Sequence, residues 1–235
     1  MKHFAIGLMA VCMVLGVVPM HATMESAAAD NQKVPILMVH GLGGSSAGWS
    51  TMISRLKSNG YDSRLLYTID MQDNSVMCAE SHITQISDKI EEIVSETGST
   101  QVDVIGHSRG GTDLYAYVRY GNGVNRVRNW ISLAGANNYN CNSTYGTPPS
   151  DPTPGSQTLY TSIWSPDDGL VSEAWSVIDG ANDIEVAGVS HLQFPTSATV
   201  FPYVLNALQG TGLNDGRGLS ALPSAPSNLT IASSN

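Results

Sequence analysis

A single serine stands between glycines in the run Gly106-His107-Ser108-Arg109-Gly110, where the apolar stretch 102–105 (VDVI) stops. A serine hydroxyl attacks a carbonyl only when a neighbouring base takes its proton. The chemistry open to Ser108 therefore depends on which histidine and which carboxylate the chain can bring to it. Beyond the N-terminal segment the histidines are His40, His82, His107 and His191. His107 adjoins the serine, so its side chain should diverge from it. His40 sits in a turn and His82 at the start of a helical pattern. His191 follows the last apolar run in a GVSH turn and comes after the serine in chain order, as a base in a Ser…Asp…His arrangement must. It is the candidate base.

The orienting carboxylate should lie between Ser108 and His191 on a loop at the end of a strand. Asp167 and Asp168, in WSPDDGLV, directly follow an apolar run, and periodicity does not separate these neighbours. Asp179 and Asp183 fall near the start of the last run, at the opposite edge of a sheet, and Asp113 lies inside a helical pattern. An acyl-transfer site also needs two N–H donors where negative charge develops. The backbone of Arg109 is one candidate. Leu42, in the HGLGG turn after the first apolar run, is the other. Taken alone, G-x-S-x-G also spells a helix cap. Its place between a strand and a helix is what a nucleophile elbow requires, with Gly106 and Gly110 small enough to let the two pass closely.

These residues need a scaffold that gathers strand ends. Apolar runs at 34–39, 64–69, 102–105, 127–134, 158–164 and 184–189 read as strands. Helical spacing appears at 46–59 (Trp49, Met52, Ile53, Leu56), at 79–97 (Ile83, Ile86, Ile90, Ile93, Val94), from Arg109 to Tyr120, and at 197–209. Gly60 and Gly98 supply stops. Strands alternating with helices predict an α/β fold: a mostly parallel sheet of about six strands with helices on both faces. Ligands then meet the carboxyl ends of the strands, where His40, Ser108, Asp167, Asp168 and His191 all fall.

The chain of 235 residues opens on MKH, an apolar run FAIGLMAVCMVLGVV, and then small residues. That pattern predicts a signal peptide over 1–29 and an exported protein. A catalytic domain is expected over 30–209, followed by a disordered tail at 210–235, rich in Gly, Ser, Pro and Asn. Past the leader only Cys78 and Cys141 remain, and an even pair in an exported protein predicts a disulfide. The formal charge is −9 and only 13% of residues are charged, so charge-driven binding to nucleic acid or anionic membranes is not expected. The apolar leader run is too short to serve as a stable membrane anchor. No cluster has metal-ligand spacing. Glycosylation sequons stand at Asn142 and Asn228.

The segments VPILMVHGLGG, VDVIGHSRGG, LYTSIWSPDDGLV and VAGVSH resemble the α/β-hydrolase superfamily. More narrowly, from about Val34 to Gln209, they resemble the small secreted bacterial triacylglycerol lipases, which have a minimal fold and little or no lid. The resemblance implies a carboxylic ester hydrolase without cofactor, with lipid or another ester as substrate. It implies a triad of Ser108, Asp168 and His191, the family pattern placing the acid at the second aspartate, and oxyanion amides at Leu42 and Arg109. Arg109 departs from that pattern, since a methionine is common there; its side chain is read as lying on the rim or making a surface contact. The loop 135–157 is long and carries Cys141, and with 71–78 it is expected to form a disulfide-pinned wall beside the cleft. Short-chain esterases and polyester hydrolases share these motifs, and a non-catalytic binding protein could keep the scaffold.

Overall fold

The computed structural model describes residues 34–146 and 157–214. The expected signal peptide lies outside the described residues, as do positions 215–235. Six strands form one sheet: β1 (Ile36–Val39), β2 (Leu66–Ile69), β3 (Val102–His107), β4 (Val127–Leu133), β5 (Leu159–Trp164) and β6 (Asn182–Glu185). Their order is β2-β1-β3-β4-β5-β6, with every neighbouring pair parallel.

The chain goes from β1 outward to β2 and then returns to the other side of β1 for β3. Connections leaving β1 and β3 therefore diverge, opening a crevice beyond their carboxyl ends. Val39 pairs with Gly106 in that register, so the turn after β1 and the turn after β3 emerge side by side.

Period-two alternation sends successive strand residues to opposite faces. Ile36 and Met38 of β1 join Ile105, Ile131 and Ile163 on one face. Helices α1 (Ser50–Ser58) and α7 (Phe201–Asn206) cover that face through Met52, Leu56 and Val204. Leu37 and Val39 face the other way with Val102, Val104 and Trp130, beneath α2 (Glu80–Thr97) and α3 (Arg109–Tyr120). On α2, Ile86, Ile90 and Ile93 are fully buried, each contributing about 2 kcal/mol by removal from water. The helix ends where Gly98 takes a left-handed φ of 70°, a conformation glycine adopts without steric cost. Single-turn helices α4 (Gly123–Arg126), α5 (Asn142–Tyr145) and α6 (Glu173–Ser176) complete the connections.

Several boundaries differ from the sequence reading: β3, expected over 102–105, runs to His107, β2, expected from 64, starts at Leu66, and the larger differences lie toward the C-terminal end. The last strand, expected over 184–189, occupies 182–185. It pairs only with β5, and its ladder ends when β5 ends, the Val186 N–H making the final bond to the Trp164 carbonyl at 2.8 Å. The closing helix, expected over 197–209, starts at Phe201, with Pro202 in its first turn, and runs into a π-helical turn at Ala207–Thr211. Ordered chain also continues past 209: Leu213 forms an antiparallel bridge to Tyr160, with bonds of 2.9 and 3.0 Å.

Candidate active site

Ser108 connects β3 to α3 with φ 55° and ψ −126°, a combination that L-residues rarely hold and that costs of order 1–3 kcal/mol. The surroundings enforce it. The Ser108 N–H extends the sheet by donating to the Leu133 carbonyl at 3.0 Å, while its own carbonyl receives the Gly111 N–H at 2.9 Å. A side chain on Gly110 would run into the Val39 carbonyl, and one on Gly106 into the Gly110–Gly111 peptide. The turn is thus closed by backbone contacts that allow no Cβ. It leaves the serine hydroxyl partly exposed at the mouth of the crevice.

His191 enters from beyond β6, at the start of a short 3₁₀ helix (His191–Thr196) capped by Ser190 and Gln193. Its Nε2 lies 2.8 Å from Ser108 Oγ. Its Nδ1 lies 2.8 and 3.0 Å from the two carboxylate oxygens of Asp168. The Asp168 carboxylate also accepts the Leu170 and Val171 N–H groups, at 2.9 and 2.6 Å. The His191 N–H donates to the Asp168 carbonyl at 3.0 Å. Asp168 and His191 are both buried. Asp167 points elsewhere: its carboxylate receives the Gly188 N–H at 2.7 Å and tethers the turn leading to His191.

The remaining histidines have distinct places. His107 donates from Nε2 to the His191 carbonyl at 2.9 Å, with the rings 4.9 Å apart. Burial, reinforced by the neighbouring imidazole, pushes its pKa down to about 4, so it is neutral near pH 7 and can hold the base without repelling its proton. His40 Nε2 accepts the Met71 N–H at 3.0 Å, and its Nδ1 lies 2.8 Å from the Gly41 carbonyl. Those partners assign the proton to Nδ1. His82 is buried on α2 with Nδ1 3.0 Å from Asp113.

Gly41 to Gly44 close a tight turn, the Gly44 N–H reaching the Gly41 carbonyl at 3.0 Å. A Cβ on Gly41 would come 2.9 Å from that of Ser108, which fixes how closely this turn approaches the serine. Among the described residues neither the Leu42 nor the Arg109 amide has an acceptor; Arg109 follows Ser108 in the chain, and Gly41, the residue before Leu42, is the one that abuts the serine. The Arg109 side chain departs from the reading of it as a rim or surface group. It is fully buried, ion-paired with Asp113 at 3.2 Å, and its Nη1 is 3.3 Å from the carbonyls of Asp73 and Val76. Helical spacing accounts for this: Arg109 and Asp113 are i and i+4 on α3, facing α2 and the loop before it.

A cleft of about 560 Å³ opens over these groups. Leu42, Met77, Ala136, Tyr139, Trp175 and Leu192 contribute to its walls. Cys78 and Cys141 are joined by a disulfide, with their Cα atoms 5.8 Å apart. It ties the segment carrying Met77 to the loop carrying Ala136 and Tyr139; residues 147–156 of the expected wall lie outside the described residues. Among the described residues no group of three or more His, Cys, Asp or Glu side chains is arranged to hold a metal ion.

Residues 33–148 match the family Lipase (class 2). That stretch contains Leu42, Ser108 and Arg109, whereas Asp168 and His191 lie beyond it, so their association with the serine rests on the geometry above. Among solved structures, the mature form of Bacillus licheniformis lipase BlEst2 superposes with a TM-score of 0.62 at 21% identity, covering 76% of this chain and 93% of that one. Aspergillus fumigatus lipase B gives 0.61 at 14% identity, over 80% of this chain and 55% of that one. A predicted CIB-like hydrolase from Thermoplasma acidophilum gives 0.54 at 16%, over 77% and 86%. The chain has the α/β-hydrolase fold. Within this hydrolase fold, the class 2 lipase match supports a serine ester hydrolase.

Two contributions escape a reading of the sequence alone. The sequence predicts that the His107 side chain diverges from the serine's, and that divergence is what carries it to the His191 carbonyl. The burial of the Arg109 guanidinium is the other, since the carbonyls it meets at Asp73 and Val76 belong to a distant loop.

Proposed function

We propose that this α/β-hydrolase is a secreted triacylglycerol lipase working through an acyl-enzyme at Ser108. The observation that carries the reading is the continuous path from Ser108 Oγ through His191 to the Asp168 carboxylate, at the floor of an apolar cleft.

In this mechanism His191 Nε2 takes the hydroxyl proton as Ser108 Oγ bonds to the ester carbonyl carbon. The carbonyl π electrons move to oxygen, and the Leu42 and Arg109 amides hold the resulting charge. Asp168 keeps the Nδ1 proton in place and stabilises the imidazolium without accepting that proton. Collapse of the tetrahedral intermediate breaks the bond to the alcohol, which leaves with the proton from Nε2. Water then attacks the acyl-serine by the same route and releases the acid.

Long acyl substrates are favoured by the rim. Leu192 is 78% exposed, Leu170 70%, Leu42 48%, Trp175 45% and Tyr139 38%, and all five line the mouth of the cleft. Large apolar side chains held in water around one opening mark a surface that apolar ligands cover. The leader pattern and the disulfide support export.

Hydrolysis of p-nitrophenyl esters from acetate to palmitate tests the reading, with wild type beside Ser108→Ala. Rates that rise toward long chains and vanish in the variant are expected. Activity confined to acetate and butyrate would instead make the protein a short-chain esterase. Turnover independent of Ser108 would refute the mechanism.

A further inference from the structure

The Arg109 guanidinium occupies a position for which the reaction at Ser108 gives no direct use. It is fully buried, and it does not line the cleft. Burying an arginine is unfavourable unless its charge and N–H groups are engaged, so its contacts indicate what holds it there. On one side is Asp113, itself paired with His82. On the other are the carbonyls of Asp73 and Val76, which bracket a turn closed by the Val76 N–H on the Asp73 carbonyl at 3.3 Å. Asp73 has a φ of 51°, a left-handed conformation uncommon outside glycine but one that aspartate adopts more readily than most residues.

Between those two carbonyls stands Asn74. It receives the Gly43 N–H on both its backbone oxygen and Oδ1, at 3.1 and 2.9 Å. Its Nδ2 donates to the Gly44 carbonyl at 2.7 Å. Asn74 therefore grips the peptides immediately after Leu42, while Arg109 grips the turn that presents Asn74.

Granting the function proposed above, on which this inference rests, we propose that Arg109 positions the oxyanion hole through its side chain as well as donating to it through its backbone. Its N–H is one donor. Its guanidinium, acting through the 73–76 turn and Asn74, fixes the loop bearing the second donor, Leu42. The spacing of the two amides is thereby set by one residue. Arg109 and Asn74 are positioning residues in this role, since neither side chain meets the reacting atoms.

The test is steady-state kinetics on p-nitrophenyl butyrate with Arg109→Met, Asn74→Asp and the double variant, alongside Ser108→Ala. Methionine keeps the Arg109 amide and much of the side-chain volume. Aspartate is isosteric with Asn74 but turns an oxygen toward the Gly44 carbonyl, and position 74 is a half-buried loop site outside the core, so this variant folds even if the arginine variant does not. Losing one oxyanion donor outright costs about a hundredfold or more in kcat. A donor left in place but loosened should cost about tenfold.

Each single variant is expected to lose about tenfold in kcat, with KM within about twofold of wild type. Affinity for a trifluoromethyl ketone, whose serine adduct carries an oxyanion, should fall by the same factor. Because both residues act through one loop, the double variant should fall no more than about twofold below the worse single. Retention of kcat by Asn74→Asp, a rise in KM at constant kcat, or independent multiplication of the two effects would each overturn the proposal. If wild-type turnover survives Ser108→Ala, the reading of the site fails and this inference with it. If turnover requires Ser108 and Asn74→Asp retains kcat, the inference alone fails.

Discussion

Asp168→Asn should cost far more than its small change in shape suggests, because the structure leaves the new amide one comfortable orientation. Asp168 Oδ1 accepts the Leu170 and Val171 N–H groups, at 2.9 and 2.6 Å, and the other oxygen approaches His191 Nδ1 at 2.8 Å. An asparagine keeps its single oxygen on the two backbone donors, since an NH₂ there would face N–H groups. Its NH₂ then points at Nδ1. The imidazole must accept through Nδ1 and carry its proton on Nε2, the atom facing Ser108 at 2.8 Å. A protonated Nε2 cannot take the serine proton. The wrong tautomer costs about ten-thousandfold in kcat in a serine protease triad, or about 5.5 kcal/mol of barrier. The assay is kcat on p-nitrophenyl butyrate at pH 7–8, with thermal unfolding to show that the variant is folded. Asp167→Asn is the matched control. Its amide oxygen can still receive the Gly188 N–H, so kcat should stay within about threefold. If Asp168→Asn keeps more than a tenth of wild-type kcat, or Asp167→Asn loses as much as its neighbour, the tautomer argument is wrong.

Removing the disulfide with Cys78→Ala and Cys141→Ala frees a loop with a sequence separation of 63 residues. This should lower stability by about 4 kcal/mol on the chain-entropy account, or roughly 10 °C in Tm; an unchanged Tm with and without reductant would refute it. Asp183, buried in β6, has its pKa pushed up from 3.8 to about 7, chiefly by burial, with the Ile178 N–H opposing and Asp179 and Glu173 adding to the rise. The folded state therefore keeps a proton that the unfolded chain releases above about pH 4, and stability falls as pH rises from about 4 to 7. Asp183→Asn retains an acceptor for the Ile178 N–H and removes that fall. Above pH 7 it should be more stable than wild type by about 2 kcal/mol, allowing for partial solvation, with the two Tm curves converging toward pH 4. Parallel Tm–pH curves would sink this account.

What the sequence discloses and what it hides divide along the range of the interactions involved. Strands β1, β2, β4 and β5 fall within the expected apolar runs, because a parallel sheet buried on both faces favours stretches such as ILMV; β3 starts on one and tolerates Asp103 by pairing it with Arg128. The serine turn is legible for a similar reason: glycines at 106 and 110 are demanded by contacts that the β3–α3 connection makes with its immediate neighbours. The end of β6 is not legible, because IEVAGV keeps strand-like alternation after the chain has left the sheet. Its true end is set by where β5 stops, a fact about a partner strand. Asp168 and Asp167 are the same residue type at adjacent positions. What separates them is the direction of approach of His191, which depends on the turn that Asp167 itself tethers through Gly188.

Arg109 shows the same division within a single residue. Its backbone role follows from its place after the serine and is available from the motif. Its side chain is expected on the rim or in a surface contact, where charged groups usually lie. Asp113, four residues on, is a hint, since an i, i+4 pair shares a helix face. On an exposed face such a pair contributes little. What changes its meaning is His82 arriving from α2 to close the far side of Asp113, together with two carbonyls from a loop some thirty residues upstream. An ion pair that would be ornamental on the surface becomes, once enclosed, a fixed point between α3 and the 73–76 turn. If the proposed clamp operates, substitutions at position 109 in this fold should track the chemistry of the facing turn. An apolar residue would suit a turn that keeps its carbonyls to itself, and arginine one that presents them inward.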